Sequence, residues 1–187
     1  MPRGAGREKS AALTIPVLAT RRLRLRPFTP ADLDDLARIY GDPRFATYVG
    51  KRPRSRSETW LRLLAIEGHW RFYGYGFWAI EFEGRLAGSA GIQNFERDMV
   101  TPPDAPEVGW GFAPDAWGVG LATEAVAAVL DWADANGPKR LVALIDEGNS
   151  ASIRVAQKAG FGDYRVAEFE DGPHRIYERL AGAARRA

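Results

Sequence analysis

The segment that most limits how this chain can fold is APDAWGVG, residues 113–120, which joins an apolar run ending near Phe112 to a long amphipathic stretch opening near Leu121. Downstream, Ala122, Val126, Val129, Leu130 and Ala133 recur at three- and four-residue steps, which predicts a helix from Leu121 to Asn136 that stops at Gly137. Upstream, Glu107 to Phe112 reads as a strand, and Leu141 to Ile145 is a continuous apolar run, as in a strand covered on both faces. Gly118 and Gly120 therefore sit where a strand hands over to a helix N-terminus. The first amides of a helix have no partner inside it, the helix dipole is positive there, and glycine lets an anion approach closely. A pyrophosphate suits that chemistry, although an ordinary strand-to-helix turn would look the same in isolation.

The rest of the chain surrounds this unit with short strands and helices. Thr20 to Phe28 alternates Leu23 and Leu25 with Arg22, Arg24 and Arg26, a half-buried strand. Thr29, Pro30 and the acidic PADLDDL open a helix that runs to about Tyr40, and Ser57 to Arg71 carries a second. Phe77–Phe82 and Arg85–Ile92 form a hairpin around Glu83 and Gly84. A helix from about Ser150 to Ala159 and strands near 162–169 and 174–180 complete the order: strand, two helices, three strands, helix, strand, helix, two strands. With 187 residues, 45% of them hydrophobic, one core and one domain are expected, spanning residues 20–181 between a flexible tail at 1–19 and a short C-terminal tail at 182–187.

Composition removes several functions. The chain has no cysteine, so disulfides, thiolate metal sites and acyl-cysteine intermediates are excluded. No apolar run of about 18 residues exists, and the N-terminal AALTIPVLA is weakly hydrophobic and interrupted by Pro16. A cytoplasmic protein is expected. The arginines and lysine at positions 21–26 and 51–56 form two basic clusters, read as a solvated strand edge and loop rather than a nucleic-acid surface. His69 and His174 are too isolated to form a metal pair, and no metal is expected.

Three phosphate-binding patterns can be tried on the glycine loop. No GxxxxGK followed by Ser or Thr occurs, which removes the P-loop. A dinucleotide fingerprint is approximated by Gly118, Gly120 and Thr123 with Asp146 at the end of the next strand, and an NAD(P) oxidoreductase is the alternative this leaves. Against it, the third glycine is missing, the glycines lie several residues past their strand, and the upstream region reads as hairpins. The third pattern fits. EVGWGFAPDAWGVGLATEA resembles the Q/R-x-x-G-x-G/A loop of the GNAT N-acetyltransferase superfamily, with Trp117 in the first position as in its RimJ/RimL-like subgroup. The likeness runs from TRRLRLRPFTPADLDDLARIYGDP to NSASIRVAQKAGF.

This resemblance implies a GNAT fold of the α/β (α+β) class. One mixed central sheet of about seven strands would be flanked by about four helices, its central parallel strands splayed to admit a pantetheine arm. It implies acetyl-CoA as co-substrate, held by Phe112, Trp117, Gly118, Val119, Gly120, Leu121, Ala122, Thr123 and Asn149. Transfer to an amine needs the amine neutral, and free alkyl amines have pKa values of about 10, so a base is required. Glu107 matches the family's base, Ser152 the serine that protonates or holds the departing thiolate, and Ala156 stands where many members carry a tyrosine acid. Each has a plainer reading, Glu107 as a strand-end carboxylate and Asn149 with Ser152 as a helix cap and first turn. Backbone amides of residues 110–112 would polarise the thioester carbonyl. Tyr73 and Tyr75 are the aromatic residues expected to meet an acceptor, a peptide N-terminus or small amine, while the other aromatics read as core. A monomer or homodimer is expected, and a non-catalytic acyl-CoA-binding domain is the second alternative.

Overall fold

The computed structural model describes residues 14–97, 102–169 and 172–185. Eight strands form one sheet: β1 (Leu18–Ala19), β2 (Leu23–Arg26), β3 (Phe77–Phe82), β4 (Arg85–Gln93), β5 (Glu107–Phe112), β6 (Arg140–Asp146), β7 (Gly162–Phe169) and β8 (Gly172–Leu180). Their spatial order is β1-β2-β3-β4-β5-β6-β8-β7. Five helices accompany it: α1 (Leu33–Tyr40), α2 (Pro43–Ala46), α3 (Arg56–Tyr73), α4 (Leu121–Asn136) and α5 (Ser150–Lys158).

Two elements exceed the expected seven strands and four helices. β1 is two residues long, too short to display a period, and is held by pairing of Leu18 with Leu25 and Ala19 with Arg24. Ile15 is buried nearby, and the Trp78 indole Nε1 donates to the Pro16 carbonyl at 2.8 Å. Residues 14–19 are therefore docked on the sheet, correcting the expectation of a flexible segment there; residues 1–13 lie outside the described residues. α2 is one turn, with Pro43 in its first position and the Asp42 side chain accepting from the Arg44 amide at 2.8 Å. At the other end, Arg185 pairs with Asp131 of α4 at 2.8 Å.

Helix boundaries follow local chemistry. Ser55 and Glu58 form a reciprocal capping box at the start of α3, and Gly74 ends it at φ +72°. The core centres on β4, where eight consecutive residues after Arg85 are buried. Because side chains alternate across a strand, both of its faces are covered.

One junction in the sheet is incomplete. β5 pairs with β4 along its whole length, from Gln93↔Glu107 to Gly88↔Phe112. β6 likewise pairs with β8 from Arg140↔Leu180 to Asp146↔His174. Between β5 and β6, the parallel neighbours, a single pair, Glu107↔Val142, is made, supported by Val142 N–H donating to the Pro106 carbonyl at 3.0 Å. Beyond it the strands part, and the facing edges are released from the ladder.

Candidate active site

The N-terminus of α4 lies beside this opening. Gly120 is its N-cap in a left-handed conformation, φ +80°, with no side-chain cap. The first helical bond is Glu124 N–H to the Gly120 carbonyl at 3.2 Å, so the preceding amides have no partner within the helix. Gly118 is also left-handed, φ +79°. At both positions a Cβ would meet no heavy atom closer than 3.6 Å. Conformation, rather than space, therefore demands glycine there.

The loop is fastened from both sides. Trp117 Nε1 donates to the Phe112 carbonyl at 2.7 Å. Arg22 of the first basic cluster donates through Nη1 to the Val119 carbonyl at 2.8 Å and through Nε to Glu124 at 2.7 Å, while Thr20 donates to the same carboxylate at 2.6 Å. Burial pushes the Glu124 carboxyl up, but the donors Thr20 and Arg22 outweigh it and hold the group below its ordinary value.

Two cavities meet in the splay. One, of about 510 Å³, is lined by Phe112, Trp117, Gly118, Gly120, Leu121, Ala122 and Thr123 and by α5. Ala151, Arg154, Val155 and Lys158 supply the helical side, a run at three- and four-residue steps that forms one face of α5. The second, of about 420 Å³, contains Glu107, Arg97, Arg54, Arg62, Tyr40, Ser89, Asp146 and His174. Trp110, Gly111, Asn149 and Ser152 border both. Asn149 caps α5, its Oδ1 accepting from the Ser152 amide at 3.0 Å, which leaves its Nδ2 as the donor end.

Glu107 is buried, 5% exposed, and is gripped by Arg97 through two hydrogen bonds of 2.7 Å, one to each oxygen. Arg62 donates to Gln93 Oε1 at 2.6 Å and lies 5.3 Å over the Phe77 ring and 5.5 Å over Phe95. Burial pushes its guanidinium below its ordinary value, and Arg54 and Arg97 push the same way. Asp146 is bonded to Lys51 and to the Gly148 amide; burial raises its carboxyl, and those donors more than compensate.

A model of the acetyltransferase (GNAT) domain matches residues 22–162. The chain belongs to the GNAT acetyltransferase family. It is 33% identical over 169 residues to the uncharacterized protein YkkB of Bacillus subtilis, covering 87% of this chain and 94% of that one. A putative GNAT-family acetyltransferase from Bordetella pertussis superposes with a TM-score of 0.78 at 34% identity, covering 89% of this chain and all of the other. The ribosomal L7/L12 alpha-N-protein acetyltransferase RimL, solved with coenzyme A, superposes with a TM-score of 0.75 over 90% of this chain and 100% of that one; at 18% identity that likeness concerns the fold.

Within this GNAT chain, the expected residues divide into three groups. Phe112, Trp117, Gly118, Gly120, Leu121, Ala122, Thr123, Asn149 and Ser152 line the larger cavity, and Glu107 the smaller. The Val119 side chain is 54% exposed and borders neither cavity, while its carbonyl is the group held by Arg22. Ala156, within α5, is fully buried. Tyr73 and Tyr75 also border neither cavity. They flank His69 instead, at ring separations of 4.5 and 5.5 Å, and the Tyr75 hydroxyl donates to Asn94 Oδ1 at 3.0 Å.

Sequence reasoning missed Arg154, Lys158, Arg54, Arg62 and Arg97. The first two were legible as a four-residue step on an amphipathic helix. The last three come together from α3 and two loops distant in sequence, and nothing local signals that. Among the described residues there is no metal-binding group and no helix long and apolar enough to cross a membrane.

Proposed function

We propose that this chain moves an acetyl group from acetyl-CoA directly to a primary amine while both substrates are bound, in the manner of the RimJ/RimL-like subgroup. The observation that carries the reading is the meeting of two cavities at Asn149 and Ser152, one beneath an uncapped helix terminus and the other beside a buried carboxylate. The residues present suit the donor. Unpartnered amides at residues 120–123 match the pyrophosphate, and Arg154 and Lys158 add positive charge on the same cavity wall. The unpaired edges of β5 and β6 match an extended arm that carries amide groups of its own.

When bound, acetyl-CoA supplies the activated acyl group and a thiolate leaving group. The remaining work falls to the chain. Arg97 fixes the Glu107 carboxylate in one orientation, and each carboxylate oxygen retains a further lone pair that can take a proton from the incoming amine, directly or through water. Ser152 hydrogen-bonds the departing sulfur from the seam between the cavities, and free amides near Trp110 and Gly111 meet the carbonyl oxygen as negative charge grows on it. Trp117 in the motif and the segment NSASIRVAQKAGF support the subgroup, and RimL, by its own description an alpha-N-protein acetyltransferase, makes a peptide N-terminus one acceptor class beside small amines.

The test is release of free thiol from acetyl-CoA by the purified chain with a panel of small amines and N-terminal peptides. Glu107→Gln should slow turnover about 100-fold or more at neutral pH, the scale of a lost general base, with acetyl-CoA binding retained. Full-rate turnover by that variant would remove Glu107 as base. Acetyl-CoA binding with no thiol released from any amine would make the chain a non-catalytic acyl-CoA-binding domain.

A further inference from the structure

The smaller cavity carries more positive charge than the transfer chemistry requires. Its two carboxylates are each matched: Glu107 by Arg97, and Asp146 by Lys51. Arg54 and Arg62 also line it, and among the described residues neither has a carboxylate partner. Both guanidiniums lie over aromatic rings, Arg54 5.3 Å above Tyr40 and Arg62 above Phe77 and Phe95. Stacking occupies the face of a guanidinium and leaves its in-plane N–H donors, apart from the Arg62 Nη2 bond to Gln93, available. Five arginines of the two basic clusters are neutralised instead. Arg22, Arg24, Arg26, Arg52 and Arg56 of the two basic clusters each hold a carboxylate. Two arginines left without one, on the wall of a single cavity and in mutual repulsion, form a site for an anion.

We infer that the acceptor is a small amine bearing its own anionic group, a carboxylate or a phosphate, which Arg54 and Arg62 bind while the amine faces Glu107. The inference rests on the transfer reading above and narrows it. A cavity of about 420 Å³ lies at the small end of ligand pockets, which run from about 300 to 1,000 Å³. A polyamine or other polycation is disfavoured by the same charges. The second basic residue cluster thus contributes one member, Arg54, to substrate choice, while its neighbours are spent on structure.

Matched amines test this in the thiol-release assay: β-alanine against β-alaninamide, and phosphoethanolamine against ethanolamine, with putrescine as the cation. The anionic member of at least one pair should have kcat/KM about 10- to 100-fold higher, the range of one charge-assisted hydrogen bond. The two pairs separate carboxylate from phosphate. In each pair the neutral member is the less basic amine and has more free base at a given pH, so preference for the anion cannot arise from amine reactivity. Arg54→Gln and Arg62→Gln should each shrink the ratio at least tenfold through KM, with acetyl-CoA affinity unchanged. Arg62 also holds Gln93, and Arg54→Gln keeps the test valid if the Arg62 variant folds poorly.

Preference for ethanolamine, β-alaninamide or putrescine, or ratios indifferent to both variants, would overturn the inference and leave acetyl transfer standing. So would an acidic N-terminal peptide that outpaces every small anion, which would move the site to protein termini. If no amine releases thiol, the transfer reading fails, and calorimetry of the two anionic amines with the CoA-loaded chain decides the site. Saturable binding weakened about tenfold by Arg54→Gln supports it, and absence of binding refutes it.

Discussion

Replacing Gly120 with alanine adds one methyl group at a place where there is room for it. The nearest heavy atom to that Cβ is Arg22 Nη2 at 3.6 Å, an ordinary contact. The penalty is conformational. At φ +80° an L-residue costs about 1–2 kcal/mol relative to glycine, which for a domain of this size lowers Tm by roughly 2–8 °C. If the loop instead relaxes out of the left-handed region, stability is partly restored but the amides at residues 120–123 turn from the cavity. Loss of a single hydrogen bond to a charged phosphate weakens acetyl-CoA binding about 10- to 100-fold. Thermal shift and calorimetry on the same sample read both quantities. Gly120→Asn separates them, because asparagine tolerates the left-handed region, and should recover most of the lost Tm. Wild-type Tm together with wild-type acetyl-CoA affinity in Gly120→Ala would show that the left-handed glycine shapes neither stability nor the loop amides.

Other consequences concern charge and pH. Arg154→Gln with Lys158→Gln should weaken acetyl-CoA binding more at low than at high ionic strength, because exposed charges are screened by salt; affinity measured across a salt series checks it. His69 accepts the Asn94 amide through Nε2 at 2.9 Å, so its proton sits on Nδ1 and is donated to the Tyr75 carbonyl at 2.7 Å. Burial pushes this imidazole below its ordinary value. The unfolded state therefore binds the proton more readily, and stability present above about pH 6.5 falls as pH drops below it. Urea denaturation between pH 7.5 and 5 should show this decline, and His69→Gln should flatten that part of it.

The fold was legible wherever a period ran long enough. The α4 stripe, the continuous apolar run of β6 and the alternation of β2 all appear as read. β1 and α2 were not, since two or four residues cannot express a period; β1 is held by pairing with the adjoining β2 and α2 by its own Asp42 cap. The expected residues of the glycine loop and the start of α5 border one cavity because contiguous backbone builds each group. Tyr73 and Tyr75 lie against His69, and Tyr75 against Asn94, an environment that proximity to a hairpin in sequence did not reveal. The pairing of Glu107 was not legible, since its guanidinium partner comes from residue 97, in the connection between β4 and β5.

On the proposed chemistry, Glu107 and the two ring-stacked arginines would act on one problem from two sides. An amine reaches the enzyme as an ammonium and must lose its proton before it can attack. A carboxylate alone would hold that ammonium in place, since opposite charges favour the charged form. Here Arg97 cancels the field of Glu107 while leaving its lone pairs in reach, and Arg54 and Arg62 surround the same cavity with positive charge. Both effects lower the pKa of a bound amine and enlarge its reactive fraction at neutral pH. On this proposal, the arginines that would select an anion would also favour the neutral nucleophile. Removing either should move the acid limb of the kcat profile, which reports groups in the bound complex, to higher pH, whereas arginines that served binding alone would change KM and leave that limb where it is.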